Sequence, residues 1–452
     1  MKKSYEIDML HGALLPKILL FAIPLAISSI LQLLFNAADV IVLGRFVSAE
    51  ALAAVGSTSS FVNLVVNFFI GISVGVNVLV AQFYARHDED MVQDVVHTAI
   101  GTSIIAGFVF IFVGIALSEP LMILMGSPDE VRYMSVLYLR IYFIGLPFIL
   151  LYNFGAAILR AIGDTKRPLY YLIFAGIVNV CLNLYFVLEW NMGVAGVAIA
   201  TSVSNFISSI LVLRTLLKEK GALKVELNRI KIDRKVLFRI CKIGLPAGLQ
   251  SCFFSISNMV IQSSINSFGA IAMAGSTAAS NIEGFVYNAM NAVYQADLSF
   301  TSQNVGAGMY SRINRILGTC ILATTLIGLP LGLLACLFGT QLISIYNTDP
   351  EVISSGLERL YIICATYFLC GYGDVLVGSL RGMGESFIPM IVTLTGVCGL
   401  RILWILTVLN IFPTLGVLYM CYPVSWAVTA AIQLSYFFKI RRKLPREDAV
   451  PE

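Results

Sequence analysis

The sequence predicts an all-α integral membrane protein whose twelve transmembrane helices form two parallel six-helix repeats. Three observations support this prediction. Hydrophobic residues make up 58% of the 452 residues and charged residues only 12%, whereas soluble domains carry about 25% charged residues. Apolar runs recur along the whole chain, and a bilayer-spanning helix needs about 20 such residues. Sequence landmarks of the first half also recur in the second half.

The apolar runs between polar breaks predict twelve spans. They lie near residues 14–44, 51–81, 93–117, 131–159, 167–189, 193–217, 237–268, 272–302, 313–339, 352–380, 386–411 and 414–440. Six spans precede a polar stretch and six follow it. We therefore predict an N-terminal six-helix lobe (1–217), a cytoplasmic linker (218–238) and a C-terminal six-helix lobe with a basic cytoplasmic tail (239–452).

The basic residues predict how the spans are oriented. With both termini in the cytoplasm, only Arg45, Arg132 and Arg359 fall on the outer side, and Arg140 and Arg401 lie within spans. The other Lys and Arg residues then fall on the inner side, and an odd number of spans would destroy this asymmetry. We predict a multi-pass protein of the plasma or inner membrane with both termini cytoplasmic.

Matching residues indicate that the two halves are related. Pro24 corresponds to Pro246, and LRAIGDTKRP at 159–168 corresponds to LRGMGESFIP at 380–389. Each half has an even number of spans, so both enter the membrane from the same side and the repeats are parallel. Transporters of this design bind substrate between their halves and alternate access by rocking. We therefore favour transport over a duplicated bundle without moving parts.

Polar residues within the spans of the first half suggest a cation site. Asp39 lies in the first span, Asn179 and Asn183 share a face of the fifth, and Thr201 begins a hydroxyl-rich run in the sixth. An ionisable group in hydrocarbon is costly and calls for a partner or a role. We predict that these four residues couple transport to Na+ or H+, with Asp39, Asn179 and Asn183 as candidate Na+ ligands. The alternative is that they only hydrogen-bond helices together.

The second half carries a different polar set, with the acids Glu283, Asp297 and Asp374 and the base Arg401. Arg401 is a candidate partner for one of the three acids, and Asp297 is expected to face a water-filled vestibule.

Aromatic, sulfur-containing and acidic side chains suggest a cleft for organic cations, because ring faces and soft sulfur suit such ligands. The candidate cleft residues are Tyr142, Tyr152, Glu283, Tyr287, Met290 and Asp374. The alternative for the aromatic residues and the methionine is packing or lipid contact.

Several functions lack a basis in the sequence. It contains no GxxxxGK[ST] phosphate loop, no HExxH motif and no Ser–His–Asp arrangement. Its basic residues lie in short loops, which argues against nucleic acid as a partner. We predict no enzyme activity and no cofactor apart from the coupling ion. The expected partners are small organic cations or drugs and the lipid bilayer, and we expect a functional monomer.

Several segments together resemble the multidrug and toxic compound extrusion (MATE) family over residues 14–440. They are PLAISSILQLLFNAADVIVLGR in the first span, ILRAIGDTKRP after the fourth, NVCLN in the fifth, SNIEGF and FTSQNVGAG in and after the eighth, and LRGMGES after the tenth. The resemblance implies two six-helix lobes that form a V-shaped transporter around a central cleft. It further implies export of organic cations in exchange for Na+ or H+. The ion site of members with an N-lobe site matches Asp39, Asn179, Asn183 and Thr201.

The chain departs from the family pattern in two places. Some members have Asp where this chain has Asn183, so the site has one charge fewer and the coupling ion stays open. Other members have a Glu in the seventh span, but GLPAGLQSCFFSISNMVIQ contains no acid here. Glu283 and Asp374 are not at that family position either.

Two other functions remain alternatives. A flippase of lipid-linked precursors, from the wider superfamily, would need a strongly basic cleft, for which Arg140 and Arg401 are few. A membrane-embedded enzyme or a non-transporting bundle is the alternative from another class. Turnover of a lipid substrate without an ion gradient would support the enzyme.

Overall fold

The computed structural model describes residues 5–445 and Asp448, and these residues contain helices but no β-strand. The helices of the first half match the first six predicted spans closely. They are α1 (Leu14–Phe46), α2 (Ala49–Ala85), α3 (Glu89–Leu124), α4 (Asp129–Ala161), α5 (Lys166–Leu184) and α6 (Gly193–Lys218). A π-helical turn, Tyr185–Glu189, continues α5.

The second half is divided into shorter helical segments. They are α7 (Arg234–Asn266), α8 (Ala270–Gly306), α9 (Ile313–Leu337), α10 (Gly339–Ser344), α11 (Pro350–Thr366), α12 (Phe368–Gly382), α13 (Phe387–Thr393), α14 (Leu400–Leu406), α15 (Val408–Ile411) and α16 (Leu415–Arg441). The predicted tenth span corresponds to α11 and α12, which are bent by 44°. The eleventh corresponds to α13–α15 and includes a π-helical stretch, Leu394–Gly399.

The all-α membrane fold is confirmed, but one predicted span differs in character from the others. Ten helices of the described part are long and apolar enough to cross a membrane, and the bent pair α11–α12 makes an eleventh. The remaining predicted span is α8, which is 37 residues long but too polar for that count. Its last part is buried almost without a break. A helix enclosed by other helices can retain polar side chains because they do not meet lipid.

The motif that recurs in both halves ends a helix in the same way each time. Gly163 and Gly384 follow α4 and α12 and have positive φ angles of 92° and 89°, which glycine adopts without strain. The N–H of Asp164 donates to the carbonyl oxygen of Leu159 (3.0 Å), and the equivalent bond in the second half is 2.9 Å. This is the glycine-terminated cap of a helix, and it explains why the glycine recurs.

The chain divides into two compact units. The first contains Ile27–Gly248 and the described residues before Ile7, and the second contains Ile7–Ala26 and the described residues from Leu249 onward. The units thus divide within α1 and α7, not at the predicted lobe boundaries. The lobe boundaries stay a prediction about the repeats, and residues 1–4, 446–447 and 449–452 of the predicted lobes lie outside the described residues.

The predicted linker 218–238 packs against α3. His97 accepts a hydrogen bond from the N–H of Glu226 at its Nε2 atom (3.0 Å). Thr98 accepts one from the N–H of Asp233 at its hydroxyl (3.2 Å). These contacts hold residues 218–238 against the first unit. The first unit includes this segment and ends at Gly248.

Within the first unit, α2 and the first part of α7 meet at glycines. Gly71 and Gly75 on α2, and Gly244 and Gly248 on α7, are each four residues apart. A Cβ atom on Gly248 would lie 2.5 Å from the carbonyl oxygen of Phe68, and one on Gly71 would meet the backbone of Gly248. Small residues at this spacing let two membrane helices approach to backbone contact.

Candidate ion-coupling site

The structure brings the four predicted ion-coupling residues together within the first unit. Asp39 comes from α1, Asn179 and Asn183 from α5, and Thr201 from α6. The two asparagines share one face of α5 because they are four residues apart. Hydrogen bonds connect all four side chains. Their role in ion coupling stays a prediction.

The carboxylate of Asp39 accepts a hydrogen bond at each oxygen. The amide of Asn183 donates to Oδ1, and the hydroxyl of Thr201 donates to Oδ2 (3.4 Å). The Asn183 amide also donates to Oδ1 of Asn179 (3.3 Å), and the Asn179 amide donates to the Thr201 hydroxyl (3.4 Å). The carboxylate therefore ties α1 to α5 and α6 through neutral polar groups.

One oxygen of the cluster lacks a hydrogen-bond partner among the described residues. It is Oδ1 of Asn183, a residue that is 0% exposed. An unpaired buried acceptor costs about 1–3 kcal/mol. A small hard cation is coordinated by such oxygens together with a carboxylate, so the oxygen atoms of this cluster are suitable ligands for Na+. The Asp39 carboxylate can equally take up a proton.

A tyrosine that the sequence reasoning did not identify lies beside this cluster. Tyr138 in α4 is buried and close enough to Asp39 to interact with its charge. Its ring stacks on that of Tyr142 at 6.1 Å between centroids. A signal was available, because Tyr138 precedes the predicted cleft residue Tyr142 by one helical turn.

In the second unit, Glu283 is paired with Arg359, a partner that the sequence reasoning did not identify. The Arg359 guanidinium donates two hydrogen bonds of 2.8 Å to the two carboxylate oxygens and one of 2.8 Å to the Ser276 hydroxyl. The outer-side position of Arg359 stays a prediction, but the side chain is buried. It is 6% exposed and lies in α11, where a carboxylate and two tyrosine rings surround it.

Arg401 has a different environment from the one expected. It donates a hydrogen bond to Ser425 (3.0 Å) and lies 4.2 Å from the ring centre of Tyr422 and 5.7 Å from that of Trp426. No ion pair of Arg401 with an acid occurs among the described residues. Its charge is stabilised by ring faces instead.

Asp297 is 0% exposed, so the expectation that it faces a water-filled vestibule is wrong. The Ser379 hydroxyl donates to its Oδ2 (2.8 Å), and the thiol of Cys320 lies beside it. Helices α8, α9 and α12 enclose the carboxyl because small residues such as Gly378 let them approach closely.

The predicted cleft residues fall into two groups. Tyr287 and Asp374 are partly exposed, and the Tyr287 ring stacks on Tyr367 at 6.2 Å. Asp374 makes no hydrogen bond or ion pair with any described residue. By contrast, Tyr152 is buried and donates to the carbonyl oxygen of Pro168 (3.2 Å).

Two further predicted cleft residues, Met290 and Glu283, are also buried. Met290 is 2% exposed and contacts Gly328 and Gly371, and Glu283 is enclosed with Arg359. In this structure the side chains of Tyr152, Met290 and Glu283 are enclosed by other residues. Tyr142 is partly exposed, and the role of all six residues in a cleft stays a prediction.

The family profile of MatE matches the chain twice, over residues 24–185 and 246–407. Two matches in the same direction agree with the two parallel repeats. Among curated proteins, the chain is 27% identical to the "Probable multidrug resistance protein YoeA" of Bacillus subtilis, over 94% of this chain and 93% of that protein. It is 28% identical to the "Probable multidrug resistance protein YpnP" of the same organism, over 88% and 89%. It is 20% identical to the "Multidrug export protein MepA" of Staphylococcus saprophyticus, over 89% and 92%.

Solved structures share the fold. One, described as the "Outward-facing conformation of a multidrug resistance MATE family transporter of the MOP superfamily", has a TM-score of 0.91 and 22% identity, and the match covers 98% of this chain and 99% of that chain. A second, a MOP superfamily transporter from Pyrococcus furiosus, has a TM-score of 0.91 and 21% identity with the same coverage.

Proposed function

Because this chain belongs to the MatE family of multidrug and toxic compound extrusion transporters, we propose that it exports organic, mostly cationic compounds in exchange for Na+ or H+. The names of its relatives support drugs as substrates. The observation that supports ion coupling most directly is the hydrogen-bonded group around Asp39. It combines one carboxylate with amide and hydroxyl groups inside the membrane-spanning part of the first unit.

Asp39 is proposed to bind the coupling ion. In the absence of a cation, its carboxylate is stabilised by the Asn183 amide and the Thr201 hydroxyl. A proton on Asp39 replaces an acceptor by a donor, and Na+ would turn the amide and hydroxyl oxygens toward the metal. Either event changes the bonds that join α1 to α5 and α6. Exchange then requires that the two access states bind the ion with different affinity, since an ion with equal affinity drives nothing.

Efflux from vesicles tests the proposal. Purified protein is reconstituted into liposomes loaded with a fluorescent organic cation, and Na+ and pH gradients are imposed separately. We expect wild-type efflux to respond to one of the gradients, and Asp39→Asn to abolish that response at unchanged expression and melting temperature. Asp129→Asn is a matched control because Asp129 is an exposed carboxylate at the start of α4. Unchanged gradient-driven efflux by Asp39→Asn would sink the proposal.

We further propose that the protein acts as a monomer in the plasma membrane, with both termini in the cytoplasm. The distribution of Lys and Arg residues supports this orientation. Labelling of single cysteines with a membrane-impermeant maleimide in intact cells tests it. A cysteine in place of Lys224 should remain unlabelled, and one in place of exposed Tyr133, at the start of α4, should react.

A further inference from the structure

A groove at one end of the first unit has the features of a lipid headgroup site. It lies between the start of α5 and the end of α6 and has a volume of about 580 Å³. Its polar lining includes Arg167 and Tyr171 from α5 and Arg214 and Lys218 from α6. The ion-coupling residues of the proposed function are not part of it.

Two positive charges in the groove are not neutralised by the protein. Arg214 and Lys218 are exposed, lie one turn apart on α6, and make no ion pair or hydrogen bond with any described residue. Arg167 differs from them, because it is bound to the carboxylates of Asp164 and Glu219. The groove lining carries three basic side chains, Arg167, Arg214 and Lys218, and one carboxylate, Glu219, so the charge that an incoming group meets is positive.

Apolar side chains continue from these charges along both helices. On α6, Ile210 and Phe206 are exposed and lie one and two turns from Arg214. On α5, Tyr170, Phe174 and Ile177 are exposed on successive turns. Each turn is about 5.4 Å long, so the apolar stripes extend over the length of the first part of an acyl chain. They begin where the cationic groups end.

We propose that this groove binds the phosphate of an anionic phospholipid, with the acyl chains on the apolar stripes of α5 and α6. Basic pockets between membrane helices bind lipid headgroups in this way, and each Lys or Arg near the surface contributes about 1 kcal/mol of attraction to anionic lipid. The tyrosine hydroxyl of Tyr171 is held by Thr215 at 2.5 Å, which fixes the wall of the groove. The combination of two unpaired cations with apolar stripes favours a phospholipid over a free phosphate ion, because phosphate has no apolar part that could contact the stripes.

Native mass spectrometry of the full-length protein with phosphatidylglycerol and phosphatidylethanolamine tests the proposal. We expect phosphatidylglycerol to bind more tightly than phosphatidylethanolamine. The double variant Arg214→Ala/Lys218→Ala should bind phosphatidylglycerol about 30-fold more weakly, and Arg214→Lys/Lys218→Arg should retain binding because the charges remain. The control Arg442→Ala/Lys443→Ala removes the same charge from the end of α16 and should leave binding unchanged.

Two outcomes would overturn the proposal. Equal losses in the groove variant and the control would mean that any surface charge suffices. Binding of inorganic phosphate, measured by titration calorimetry, that matches phosphatidylglycerol in affinity and is equally lost in the groove variant would mean a site for a free anion. The variant Phe206→Ser/Ile210→Ser distinguishes a phospholipid site from a site for a free anion. It should weaken lipid binding, which uses the apolar stripes, and leave phosphate binding unaltered. These binding measurements do not depend on transport.

Discussion

The guanidinium of Arg359 and the carboxylate of Glu283 face each other through two parallel hydrogen bonds of 2.8 Å, and both side chains are buried. The two residues are 76 positions apart and join α8 to α11. Ring faces of Tyr419 and Tyr422 lie 5.6 Å from the same guanidinium. The pair therefore connects two helices of the second unit and holds in place the helix that carries Tyr287.

Removing one partner of this pair should destabilise the protein strongly. Glu283→Gln leaves the Arg359 charge buried without its counter-charge, which typically costs about 3–5 kcal/mol. We expect a large fall in the melting temperature of the detergent-solubilised protein. The double variant Glu283→Gln/Arg359→Met should recover much of the loss, because no uncompensated charge remains. If the loss of stability in the double variant equals the sum of the losses in Glu283→Gln and Arg359→Met, the two residues are not coupled as described.

The sequence was sufficient for the class of fold and for the grouping of polar residues in the first unit. Asn179 and Asn183 are four residues apart and therefore share a helix face. Asp39 is an acid within a span, where a carboxylate needs polar partners, so these residues could be grouped from the sequence alone. The pairing of Glu283 with Arg359 could not be predicted in this way. It depends on how α8 and α11 pack, and no local pattern contains that information.

One missed pairing and one wrong expectation have the same physical origin. The segment around Arg359 carries no sequence sign of a buried partner, yet α11 packs against α8 and pairs Arg359 with Glu283. Asp297 lies in a polar run near the end of α8 and was expected to meet water, yet neighbouring helices cover it completely. Local polarity indicates solvent only where no other helix covers the segment, and coverage is a property of the tertiary structure.

An added carboxylate should strengthen Na+ binding at the candidate ion site. In Asn183→Asp, a second carboxylate replaces the amide that donates to Asp39. The cation-free protein should then be less stable, because the two negative charges lie next to each other. A bound cation offsets this repulsion. We expect about tenfold tighter apparent Na+ affinity, measured as a larger rise in melting temperature with NaCl at constant ionic strength.

Asn288→Asp provides the matched control for this measurement, since it makes the same substitution in the second unit, on α8. Its response to NaCl should equal that of the wild type. A Na+ response of Asn183→Asp no greater than that of the wild type contradicts a Na+ site at Asp39 and leaves the proton as the coupling ion.

Asp374 should discriminate between charged and neutral substrates. Its carboxylate is partly exposed, makes no hydrogen bond or ion pair with any described residue, and lies near Tyr287, whose ring stacks on Tyr367. An acid beside aromatic faces suits an organic cation. We expect Asp374→Asn to lower vesicle efflux of a monovalent organic cation by roughly tenfold and to leave efflux of a neutral analogue nearly unchanged. Asp374→Glu should retain the preference for the cation, and an equal loss for both substrates would indicate a structural role instead.

The close approach of α2 and α7 should make Gly248 intolerant of any side chain. A Cβ atom there would lie 2.5 Å from the carbonyl oxygen of Phe68, and backbone cannot move aside as a flexible side chain can. Overpacking of this kind costs about 1–3 kcal/mol, so we expect Gly248→Ala to lower the melting temperature. Gly56 is the matched control because it lies on α2 with nothing within 4 Å of an added Cβ atom. Gly56→Ala should be neutral or stabilising by about 0.5–1 kcal/mol, since alanine favours the helix. If both variants melt at the wild-type temperature, the helices do not meet at backbone distance.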